Sequence, residues 1–119
     1  TMDYIKAASI HDFKSKDFKC FRYLGRTIVI LKKNKDSFYA MEADCKHQKA
    51  NLFTGKRQGD LVTCPRHSWQ YNIKTGECLT EKWAGLGFYP IEVRQSDIYI
   101  YPKVTDEIIY SSLEKSSAN

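Results

Sequence analysis

The hydrophobic pattern is densest at residues 27–31, Thr-Ile-Val-Ile-Leu, an unbroken β-branched and apolar run. A run of this length between turn-forming residues predicts a strand buried on both faces. Before it, residues 18–23 read as a half-buried strand that ends at Leu24-Gly25-Arg26. After it, Lys33-Asn34-Lys35-Asp36 supplies a hairpin turn, and residues 37–42 return as the next strand, delivering the chain to Cys45. Residues 4–7 predict an opening strand and residues 9–13 a turn that carries His11 at the surface. Near the other end, residues 89–94 and 97–101 alternate with period two around Gln95-Ser96. They predict a hairpin in which Ile91 and Val93 face the same core as Ile98 and Ile100. The tail changes period. Thr105 is placed to cap a short helix over about residues 105–114, with Ile109 and Leu113 on one face, before residues 116–119 fray. Many short strands with frequent turns predict an all-β domain.

Length and composition narrow this picture. The 119 residues fit one domain, which is large enough to build a core without disulfide staples. A hydrophobic share of 42% is ordinary for a globular protein, and 28% charged residues give no sign of disorder. No apolar run approaches the ~20 residues that span a bilayer, and the start of the chain is too polar for a signal peptide. The expectation is a soluble cytoplasmic monomer with no membrane contact. The net charge is +5, but Lys and Arg are dispersed and often sit beside Asp or Glu. No basic run with interleaved aromatics appears, so nucleic acid is not an expected partner. A solvated basic surface and an acidic protein partner both remain open.

The candidate chemistry lies in two short clusters, Cys45-Lys46-His47 and Cys64-Pro65-Arg66-His67, with sixteen residues between His47 and Cys64. Each offers one thiolate and one imidazole. Two cysteines and two histidines suit a tetrahedral zinc ion or an iron–sulfur centre in which histidines replace two thiolates on one iron. Zinc fingers usually pair Cys with Cys and His with His, so the mixed pairs favour iron. Pro65 restricts the second loop, and Gly55, Gly59 and Gly76 supply turns around the two. Cys20 and Cys78 show no disulfide spacing and read as small buried hydrophobes.

These two clusters, continued by Ser68-Trp69-Gln70-Tyr71 and Thr75-Gly76, resemble the signature of Rieske [2Fe–2S] domains. The resemblance covers about residues 4 to 101. It implies stacked antiparallel sheets with a small cluster-binding subdomain at about residues 45–78. It further implies one [2Fe–2S] cluster, with Cys45 and Cys64 on the inner iron and His47 and His67 on the outer, solvent-facing iron. The chain is similar in size to Rieske ferredoxins, which pass electrons to oxygenases.

Several positions depart from the branch found in cytochrome bc-type complexes. That branch has an extra cysteine in each loop, joined as a disulfide, where this chain has Ala50 and Arg66. A serine that bonds a bridging sulfide is replaced by Trp69, while the tyrosine near one cysteine sulfur is kept as Tyr71. Ser68 stands where glycine is usual. Residues 81–88 replace a proline-containing cover, with Trp83 or Leu86 either shielding the cluster or packing in the core. Fewer hydrogen bonds to sulfur disfavour the reduced state. A redox titration is therefore expected to give a midpoint toward the low end of the Rieske span, which runs from roughly −150 to +300 mV.

The expected function is one-electron transfer from a reductase to a terminal oxygenase or similar enzyme, without catalysis by this chain. The alternatives are a small Rieske subunit fixed within a larger reductase, similar to that of nitrite reductases, and a zinc-binding or redox-sensing module. Lys46, Lys49 and Arg66 flank the ligands, either as a positive rim for an acidic partner or as ordinary solvated residues.

Overall fold

The computed structural model describes residues 3–34, 37–46, 50–105 and 107–112. Its strands are β1 (Ile5–Ser9), β2 (Phe18–Tyr23), β3 (Arg26–Lys32), β4 (Ser37–Glu42), β5 (Lys56–Gln58), β6 (Leu61–Thr63), β7 (Gln70–Asn72), β8 (Phe88–Tyr89), β9 (Ile91–Arg94), β10 (Asp97–Ile100) and β11 (Ser111–Ser112). They form three antiparallel sheets. A central sheet runs β11-β4-β3-β2, with β8 also paired to β4, and is flanked by the sheets β1-β10-β9 and β5-β6-β7. Among the described residues, the only helical pieces are 3₁₀ turns at Ile10–Phe13, Leu52–Thr54 and Lys82–Ala84. Among the described residues, no helix is long and apolar enough to cross a membrane.

The central sheet explains the unbroken apolar run. Val29 and Leu31, with their cross-strand neighbours Met41 and Tyr39, enter one core. Ile28 and Ile30, with Phe38 and Ala40, enter the other. Both faces of β3 are covered, so alternation of polar and apolar residues disappears. Each fully buried aliphatic side chain is worth about 1.5–3 kcal/mol. The second core is closed by the β9–β10 hairpin, whose register pairs Ile98 with Val93 and Ile100 with Ile91. All four enter that core, as their alternation predicts. The first core contains Cys45, Cys64, Tyr71 and Cys78, so it is the one that builds the candidate site.

The tail is not helical where it is described. Thr105 exchanges two backbone hydrogen bonds with Phe88, at 2.6 and 2.8 Å, and Ser111 pairs with Phe38 in β4. Ile108 packs on the first core and Ile109 on the second. Consecutive isoleucines directed to opposite cores are a strand pattern, and an open stretch of β4 edge supplies hydrogen bonds that a short isolated helix would lack. Leu113, the proposed helical partner of Ile109, lies outside the described residues, as do Lys35 and Asp36 of the first hairpin turn. Residues 89–94 do not form the single strand that their alternation predicts. The chain there splits at Pro90, which has no N–H to donate. β8 stays with the central sheet, and β9 begins the neighbouring one.

Candidate metal centre

Two loops of the same construction hold the candidate ligands. In the first, the Cys45 N–H donates to the Ala50 carbonyl at 2.9 Å; in the second, the Cys64 N–H donates to the Trp69 carbonyl at 2.8 Å. In both, the cysteine opens the loop and its own N–H closes it five residues later. The first loop continues from β4 and is braced from behind, where Asp44 Oδ2 accepts the Thr27 N–H at 2.9 Å. The second loop joins β6 to β7. Gly55 lies so close beneath it that an added Cβ would collide with the Thr63 carbonyl and touch Pro65.

This construction sorts the ligands by environment. Cys45 and Cys64 are 1% and 2% exposed, whereas Pro65, Arg66, His67 and Ser68 are exposed at the loop tip. None of the four cysteines is in a disulfide. His47 lies outside the described residues, together with Gln48 and Lys49. Among the described residues, no three His, Cys, Asp or Glu side chains gather to hold a single metal ion. A Rieske centre does not ask for such a trio, because each of its two irons takes only two protein ligands.

Tyr71 supplies the most specific geometry. It is fully buried in β7, and its hydroxyl oxygen lies 3.4 Å from Cys45 Sγ. The same oxygen accepts the Lys46 N–H at 3.1 Å. The phenol and the thiol can each donate in this contact, and a Cys45 that has given up its proton to a metal would leave the phenol as the donor. Burial, and then the hydrogen bond to Cys45, raise the Tyr71 pKa above the ordinary tyrosine value. The hydroxyl is therefore held protonated. A buried cysteine sulfur within hydrogen-bond reach of a phenol fits a ligand to iron.

The remaining departures also have places. Ser68 adopts φ +62°, the left-handed region that glycine enters without penalty. Trp69 is half-buried and packs on the first core behind the loop. Trp83 stands outside it, 69% exposed, with its ring edge-on to Trp69 at 5.8 Å and 78°. Leu86, by contrast, is an ordinary buried residue of the same core as the two cysteines. Lys46 is paired with Glu42 at 2.9 Å, and Glu42 also accepts the Gly87 N–H at 2.7 Å, so this carboxylate ties the first loop to residues 81–88. Cys78 is buried and its Sγ accepts the Glu81 N–H at 3.3 Å. Cys20 is half-buried, and burial raises the pKa of its thiol. Both fit packing roles.

The periodicity of the sequence missed the sheet that carries the second loop. β5, β6 and β7 are three residues each, and in β5 only Arg57 is even partly buried. The clamp through Glu42 was also missed, since its two partners lie 4 and 45 residues away.

A family model described as the Rieske [2Fe-2S] domain matches residues 3–86. The chain is 26% identical over 98 residues to ferredoxin CarAc of Metapseudomonas resinovorans, covering 82% of this chain and 92% of that one. It is 34% identical over 67 residues to cholesterol 7-desaturase of Drosophila melanogaster, but spans only 16% of that protein. It is similar in fold to a chain in the complex of reduced oxygenase and oxidized ferredoxin of carbazole 1,9a-dioxygenase. There the TM-score is 0.72 and identity 24%, with 90% of this chain and all of that one covered.

Proposed function

We propose, from the premise that this chain belongs to the Rieske [2Fe–2S] domain family, that it is a one-electron carrier and not a catalyst, passing electrons from a reductase to a terminal oxygenase. The observation that carries this reading is the Tyr71 hydroxyl aimed at Cys45 Sγ in a core that also buries Cys64, with His67 exposed in the same loop as Cys64. When bound, the [2Fe–2S] cluster supplies a one-electron couple. Cys45 and Cys64 would hold its inner iron and His47 and His67 its outer iron. The two buried cysteines exclude water from the inner side. Tyr71 donates a hydrogen bond that favours the more negative, reduced form. Exposed His67 sets the outer edge at the protein surface, where a partner can approach. The near full-length similarity to ferredoxin CarAc supports a carrier over an enzyme. The chain is proposed to act as a cytoplasmic monomer.

The test is anaerobic purification followed by chemical analysis and EPR. Iron and acid-labile sulfide are expected in equal amounts, with an axial or rhombic signal appearing on uptake of one electron per chain. Replacement of Cys64 by Ser or His67 by Ala is expected to abolish that signal. Zinc in place of iron, with no colour, would overturn the reading.

A further inference from the structure

We infer that the cavity beside Cys45 is a site for ordered water, which links Asp44 of the first loop to the Tyr89 hydroxyl of β8. The cavity has a volume of about 250 Å³ and is lined in part by Arg26, Glu42, Asp44, Cys45, Lys46 and Tyr89. Two polar atoms of these residues, Asp44 Oδ1 and the Tyr89 hydroxyl oxygen, are buried with no hydrogen-bond partner among the described residues. Tyr89 as a whole is only 1% exposed. Buried polar groups are bonded to protein or to water in the great majority of cases, because an unbonded one keeps its full desolvation penalty. Two such groups on one cavity point to a shared occupant.

The chemistry of the lining selects water. A carboxylate oxygen only accepts, whereas a phenol can donate or accept. The occupant must therefore donate to Asp44 and pair with Tyr89. Lys46 and Glu42 neutralise each other at 2.9 Å. Of the two charges that are left, the Asp44 carboxylate opposes an anion and the Arg26 guanidinium opposes a cation. A neutral molecule with both donors and acceptors remains, and the volume accommodates several waters at ~30 Å³ each. Arg26 lies near enough to Tyr89 to favour the ionised phenol, but burial outweighs it and keeps the phenol neutral. The guanidinium does not complete the bonding of the hydroxyl. The other Asp44 oxygen accepts the Thr27 N–H at 2.9 Å, and the Thr27 carbonyl accepts the Ala43 N–H at 3.0 Å. Water on Oδ1 thus satisfies the carboxylate that fixes the start of the first loop to β3, and it ties β8 to the same point.

The inference is tested by a high-resolution crystal structure of the purified holoprotein and by its unfolding rate in denaturant. Ordered water is expected within hydrogen-bond distance of Asp44 Oδ1 and of the Tyr89 hydroxyl. A structure in which either atom lacks bonded water, or in which Arg26 folds in to bond them instead, overturns the site. Unfolding supplies a sign. Removing an orphaned buried hydroxyl relieves a penalty and stabilises, whereas removing one bonded to held water breaks a bond and destabilises. Tyr89→Phe is expected to speed unfolding about threefold at neutral pH. An unchanged or slower rate overturns the site. The increase is expected to disappear in an Asp44→Ala background, where the linking water has lost its acceptor, and to persist in an Arg26→Met background. The reverse pattern makes the guanidinium the partner and overturns the site. If Asp44→Ala does not fold, Tyr89→Phe with and without Arg26→Met decides the matter. None of these readouts involves electron transfer, so the carrier reading stands or falls separately.

Discussion

The Tyr71 hydroxyl sits between a backbone donor and a sulfur, and with Cys45 deprotonated on iron it would be the donor to that sulfur. Replacement by Phe removes one donor to Cys45 Sγ and leaves the Lys46 N–H without its partner. A lost hydrogen bond worth about 1 kcal/mol corresponds to about 40 mV for a one-electron couple. Tyr71→Phe is therefore expected to lower the midpoint by about 40 mV in a redox titration, with a larger fall if the first loop also loosens. The tyrosine itself was legible in the motif. The Lys46 N–H was not, because it meets Tyr71 only when two loops 25 residues apart are brought together. Ser68 shows the same division. Its departure from glycine was readable, but the left-handed backbone that makes this matter, at about 1–2 kcal/mol, is a property of the folded loop.

At the scale of elements, the second loop depends on the turn that follows β7. Gly76 adopts φ +80°, and an added Cβ would come within 2.6 Å of the Leu86 carbonyl oxygen. That turn also receives the Leu86 N–H on the Gly76 carbonyl at 2.7 Å, which anchors residues 81–88. Gly59 has φ +60° but open space around it. Gly76→Ala adds a backbone clash to the left-handed penalty, whereas Gly59→Ala carries the penalty alone, about 1–2 kcal/mol. Denaturant unfolding is expected to show Gly76→Ala as the more destabilised by at least about 1 kcal/mol. Among the elements, β2, β3, β4 and the β9–β10 hairpin were readable because each carries its own period. The proposed helix at 105–114 failed because its capping residue and isoleucines suit either state, and the open edge of β4 decided between them. The split at Pro90 could have been anticipated from the missing N–H.

Across the whole molecule, two cores on either side of one sheet each hold buried phenols. Tyr39 and Tyr71 lie in the first core and Tyr89 in the second. Tyr39 donates to the Ile73 carbonyl at 2.7 Å, joining the central sheet to the segment that carries the site. Burial raises all three pKa values above the ordinary tyrosine value. In the unfolded chain these phenols ionise near pH 10, while in the folded chain they stay neutral. Above pH 10 the unfolded state thus binds fewer protons, and stability falls as pH rises. The slope is about 1.4 kcal/mol per pH unit for each phenol held neutral. Below pH 10 their contribution is complete. Denaturant midpoints are expected to fall steeply above pH 10, and the slope to be shallower in Tyr39→Phe. Tyrosinate absorbance is expected to show these three phenols, of eight tyrosines, ionising only on unfolding.

The sequence by itself determined the all-β class, the doubly buried β3, the pairing of the late hairpin and the candidate ligands. These are local properties, set by side-chain period and by residue types at short spacing. The resemblance already implied inner cysteines and an outer His67, but tertiary structure alone decided which residues bury Cys45 and Cys64 to 1% and 2% exposure, because burial is a sum over neighbours distant in the chain. It also decided that the tail extends along β4, that Glu42 clamps the first loop to residues 81–88, and that Trp83 rests in solvent against Trp69. Each of these depends on which edge, carbonyl or ring the fold brings within reach, and no local pattern encodes that.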